Sequence, residues 1–70
     1  MSTVEFVNVM SLVEGDRVDV GGSRRDALVV RPAWEYGTGS VSVLVVSHGR
    51  TSSVWFPSSD STVARTAKAL

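Results

Sequence analysis

"VSVLVVSHGRTSSVWFPSSDSTV", residues 41 to 63, decides the fold of this chain. Val41, Val43 and Val45 fall on one side of an extended segment and Ser42 and Leu44 on the other, the two-residue period of a β-strand. Val46 continues the second side, so this strand is expected to be covered on both faces for part of its length. Ser47-His48-Gly49-Arg50 reads as a tight turn, and Thr51 to Phe56 as the second arm of a hairpin. Within that arm Val54 and Phe56 share a face while Trp55 points the other way. One aromatic is therefore core, and the other lies on the outer surface or under a loop; we assign Phe56 to the core. Pro57 lacks an N–H and ends the ladder. Ser58, Ser59 and Asp60 turn the chain, their side chains able to bond local amides. Val63 then re-enters the core in a short closing strand, Thr62 to Thr66.

The same alternation runs toward the N-terminus. Val18 and Val20 alternate with Arg17 and Asp19, and Ala27 to Arg31 forms a further strand that Pro32 is expected to stop. Turn signals recur at Glu14-Gly15-Asp16, Gly21-Gly22-Ser23 and Gly37-Thr38-Gly39. Valine, serine and threonine dominate, and β-branched residues suit a pleated, half-buried surface. The final "ARTAKAL" is too short for a stable isolated helix. Many short strands with frequent turns predict a small all-β barrel or sandwich.

Composition narrows the chemistry. Seventy residues make one domain, and a chain this short buries only about 60% of its unfolded surface. There are no cysteines and one histidine, which excludes disulfides, thiolate metal sites and histidine-rich ones. No metal or cofactor is expected. Seven basic and seven acidic side chains balance, which argues against strong non-specific nucleic-acid binding. No run approaches the ~20 apolar residues of a membrane span. "MSTVEFVNVMSLVEGD", residues 1–16, has no basic region before its apolar residues and so does not read as a signal peptide. A soluble, cytoplasmic protein is the expectation.

"EGDRVDV", an arginine-rich turn, two hydrophobic strands and then "HGRTSSVWFPSSDSTV" together resemble one family. It is a group of small actinobacterial domains of unknown function, common in mycobacteria, with an SH3-like β-barrel and some members linked to dormancy. The matching positions are Gly15-Asp16 with Val18 and Val20, Arg24 and Arg25, Val29, His48, and the corner of Phe56-Pro57 with Asp60 and Val63. The resemblance covers roughly residues 12 to 66. Departures are Ser47-His48-Gly49-Arg50 where the family has Gly-His and a carboxylate, Ser58 in place of glycine, and no aromatic in "SVSVLVV". The compactness of the chain suits a divergent, phage-encoded relative. The resemblance implies an SH3-like, five- to six-stranded antiparallel barrel over residues 12–66, with an N-terminal strand extension at 1–11 and a C-terminal tail at 67–70.

Candidate chemistry is sparse. His48, the only candidate general base, sits in a turn with no carboxylate near in sequence and reads as a solvent-side turn residue. Asp16, beside Gly15, reads as a turn cap. No serine lies in a nucleophile-elbow context. Gly21-Gly22-Ser23-Arg24-Arg25 lacks the lysine spacing of a phosphate loop and reads as a polar loop. No enzyme is expected. Trp34 and Tyr36 flank Glu35 in the loop between the second and third strands. With Arg31 and Trp55 they form a candidate partner-binding set, able to hold a proline-rich segment or a methylated amine. The alternative is that Trp34 or Tyr36 caps the open end of the barrel. Arg17, Arg24, Arg25 and Arg50 are the candidate nucleic-acid contacts of a second, less favoured reading, because Asp16, Asp19 and Asp26 lie among them.

Residues 2–10, "STVEFVNVM", hold the strand formers Val4, Phe6, Val7 and Val9. A strand with no clean polar face invites pairing. It could pair with this chain's own barrel or with another chain; the expectation is a homodimer, or a complex with a protein partner, using this strand or the surface it covers.

Overall fold

The computed structural model describes residues 4–22 and 24–70. Residues 1–3 of the expected N-terminal extension and Ser23 of the Gly21–Arg25 loop lie outside the described residues. Valine alternation becomes six strands: β1 (Glu5–Asn8), β2 (Arg17–Asp19), β3 (Ala27–Glu35), β4 (Val41–Ser47), β5 (Arg50–Phe56) and β6 (Thr62–Ala67). They form one antiparallel sheet in the order β1-β6-β2-β3-β4-β5. The fold is all-β and barrel-like, with the sheet left unclosed between β5 and β1.

The β4–β5 hairpin follows the sequence reading. Ser47 pairs with Arg50 across a two-residue loop. His48 and Gly49 have φ of 53° and 75°, the left-handed pair that a hairpin turn matched to strand twist requires. From this turn the register runs to Val41 opposite Phe56. It places Val41, Val43 and Val45 inside, fully or almost fully buried. Val9, Leu12, Val18, Ala27, Val29 and Val63 complete the core, and Val7, Val20, Ala33, Val54 and Phe56 pack against its margin. A core so rich in valine uses side chains with one stiff torsion and little rotamer entropy to lose.

Three expectations need correction. Pro32 does not stop β3, which continues to Glu35. The register to β4 shifts between Val29 and Arg31 and again between Arg31 and Trp34. Such irregularities are where a strand tolerates a residue without an N–H. Trp34 therefore lies in a strand and not in a loop; only Tyr36 belongs to the β3–β4 turn, closed by Tyr36 N–H to Ser40 O at 2.9 Å. Of the two pairings open to the N-terminal strand, the one within the chain is present. β1 pairs with β6 of the same chain, Glu5 opposite Arg65 through Asn8 opposite Thr62, and Val9 in the short 3-10 turn Val9–Ser11 is fully buried. Pairing within one chain brings the β1 edge to a partner strand without the entropy of association, so this strand is not held open for a second molecule on both sides. Finally, β6 runs through Ala67, past the expected end at Thr66.

Candidate functional site

Two groups of side chains stand out, one charged and buried, the other aromatic and exposed. The first is a sealed corner. Asp16 is fully buried; its carboxylate accepts from Val13 N–H at 3.0 Å and Ala69 N–H at 2.7 Å. The Arg65 guanidinium lies 3.7 Å from it and also pairs with Glu5. Burial alone pushes the Asp16 carboxyl up, but the two amides and Arg65 outweigh it and hold the group below its ordinary value of 3.8. The hydrogen bond from Arg65 lowers Glu5 likewise, and Glu5 raises Arg65. Gly15, at φ +100°, lets the C-terminal segment close over the corner: a Cβ there would stand 3.1 Å from the Ala69 methyl. Asp16 is thus a turn cap, as expected, and also the anchor of the C-terminal segment. Sequence reading missed Arg65 and Glu5, because their meeting depends on the β1–β6 register.

The second group lies on the outer face of β3, β4 and β5. One cross-strand row joins Trp34, Ser42 and Trp55, and the next joins Arg31, Leu44 and Ser53. Opposite residues in a sheet lie close enough for direct side-chain contact. Tyr36, from the adjoining turn, sets its ring 5.0 Å from that of Trp55, tilted by 39°. Trp34, Tyr36 and Trp55 are 64%, 43% and 57% exposed. Between Arg31, Trp34, Tyr36, Ser42, Leu44 and Ser53 lies a shallow hollow of about 270 Å³. The four residues singled out as a partner-binding set, Arg31, Trp34, Tyr36 and Trp55, therefore share one face. Trp34 and Tyr36 are both solvent-exposed and neither belongs to the buried core.

The four candidate nucleic-acid arginines do not gather in this way. Arg24 and Arg50 line one hollow with His48, Thr51 and Ser52, and Arg24 donates to Ser52 Oγ at 3.4 Å. Arg17 instead pairs with Asp26 at 3.5 Å. Arg25 is exposed in the connection between β2 and β3. His48 is an exposed turn residue. Among the described residues there is no cluster of three or more metal-ligating side chains. None of their helices is long and apolar enough to cross a membrane.

Fold and surface together define a small barrel-like β domain with an aromatic outer face. Comparison with family models, curated proteins and solved structures finds no match in any of the three.

Proposed function

We propose that this domain is a non-catalytic interaction module that binds a protein partner through the outer face of β3–β5. The observation that carries the reading is the convergence of three exposed aromatics and an arginine on one continuous surface. Apolar groups exposed together, unlike those scattered singly, mark contact surfaces. Tryptophan, tyrosine and arginine are also the residues that dominate binding energy where proteins meet. Trp34, Tyr36 and Trp55 offer large rigid faces, and Ser42 and Ser53 add hydroxyls for a partner's backbone. Arg31 in the same hollow repels a cation, which favours a neutral or acidic segment, such as a proline-rich one, over a methylated amine. The resemblance to the actinobacterial family, carried by Phe56-Pro57 with Asp60 and Val63, belongs to this proposal, as do a cytoplasmic setting and self-association through β1. On that last point, Phe6 is 77% exposed on a strand whose outer edge is unpaired among the described residues.

A second reading, weak or regulatory nucleic-acid binding, draws on the shared hollow of Arg24 and Arg50. Arginine guanidinium groups can track phosphates and stack on bases. Arg17, bound to Asp26, adds little to it.

Photo-crosslinking in the native cell separates the two. A photoreactive residue at position 34 or 55 should capture a discrete protein, and one at Glu14 should not. Capture of nucleic acid from positions 34 and 55, sensitive to salt and lost on replacing Arg24 and Arg50, would support the second reading. No capture above the Glu14 control would dismiss both.

A further inference from the structure

The free edge of β5 differs from an ordinary exposed strand edge. Native proteins guard such edges with charge, proline or brevity. β1, the other end of the sheet, is four residues long and begins with Glu5. β5 is seven residues long, and between Arg50 and Phe56 it has neither proline nor a second charge. Two hollows follow one another along it. At its start, Arg24, Arg50, Thr51 and Ser52 line a basic hollow of about 550 Å³. At its end, Phe6, Val20, Val54, Trp55, Phe56 and Val63 line a mainly apolar one of about 560 Å³, with Asp19 and Thr62 also on its wall. Among the described residues neither Arg24 nor Arg50 forms an ion pair, whereas Arg17 and Arg65 both do.

We propose that the β5 edge is a strand-addition site for an extended peptide with apolar residues at alternate positions and carboxylates at its C-terminal end. An incoming strand antiparallel to β5 starts opposite Phe56 and finishes opposite Arg50. Its alternate side chains then enter the apolar hollow, and its last residues meet Arg24 and Arg50. Main-chain hydrogen bonds to the edge supply affinity, and the two hollows supply direction. The basic end specifies a carboxylate partner by charge complementarity. A second copy of this chain fits less well, because β5 would offer its partner no acidic residue for Arg50. Trp55 borders both this site and the aromatic face, but Arg31, Trp34 and Tyr36 line neither hollow of the β5 edge, so Trp34→Ala distinguishes failure of this proposal from failure of the reading above.

The test uses the full chain, isotope-labelled, and the blocked peptide acetyl-Thr-Val-Thr-Val-Ser-Asp-Asp-amide as probe. Amide shifts and exchange protection should appear along Thr51 to Trp55 on titration. Binding should weaken roughly tenfold or more in Arg24→Gln/Arg50→Gln, in a peptide with lysines replacing the aspartates, and in one N-methylated at alternate residues. Trp34→Ala should bind the peptide as the wild type does. No response of β5 at millimolar peptide, or equal binding of the lysine or N-methylated peptide, overturns the proposal. So does tighter binding of oligothymidylate to the same amides, which assigns the hollow to nucleic acid. Edge amides already protected in a dimeric free protein would show that a second copy holds the edge.

Discussion

Arg65 and Arg31 are the same side chain in two settings, and the difference separates what folds this domain from what it presents. Arg65 has an 11% exposed side chain and two carboxylate partners, Glu5 and the fully buried Asp16. Arg31 sits in the open among Trp34, Tyr36 and Leu44 and forms no ion pair among the described residues. A buried carboxylate must be matched by amides and a cation, or its desolvation opposes folding. A surface arginine without an ion pair offsets no buried charge. The valine core and the Asp16 corner hold the fold, and on the proposed reading the aromatic face serves a partner.

The sharpest way to break that comparison is Asp16→Ala. It leaves the Val13 and Ala69 amides without their acceptor and strips Arg65 of one of its two carboxylates, at about 3 kcal/mol. A single core of this size supplies roughly 3–5 kcal/mol in all, so the variant should keep only about 0–2 kcal/mol and show a urea midpoint near zero, with a measurable unfolded fraction at 25 °C. Phe56→Ala comes next. Phe56 is only half-buried, at the margin of the core. The loss should be about 2 kcal/mol, below the 3–5 of a fully enclosed phenylalanine, and read as a lower urea midpoint with the native spectrum kept.

Acid should act on one side of the comparison alone. Asp16 and Glu5 both titrate below their ordinary values in the folded chain. A depressed native pKa gives stability that is whole above the unfolded value and is lost as pH falls through the native one. Urea midpoints should hold above about pH 5 and drop steadily below it, and the drop should be shallower in Asp16→Asn. The smallest effect is expected at Trp34→Ala, within about 0.5 kcal/mol of wild type, since most of the ring already faces water. Its consequence should appear in crosslinking yield and not in melting.

Much of this was legible in the sequence wherever the period-two pattern was strict. Val41, Val43 and Val45 with the His48-Gly49 turn fix one hairpin, and the alternation of Val54, Trp55 and Phe56 sets which aromatic faces out. Local rules failed where tertiary context intervened. Pro32 reads as a stop until a sheet irregularity accommodates it. Glu5, Asp16 and Arg65 are distant in sequence, and nothing short of the β1–β6–β2 neighbourhood brings them together. The aromatic set was found by residue type, but its shared face rests on the Trp34–Ser42–Trp55 row, a consequence of register across three strands.

The most direct measurement is a pair of urea titrations at neutral pH, Arg65→Gln beside Arg31→Gln. The account predicts a clearly lowered midpoint for Arg65→Gln and a curve for Arg31→Gln that overlays the wild type. Equal midpoints, or a larger loss at Arg31, would contradict the division between a charged corner that holds the fold and an aromatic face left for a partner.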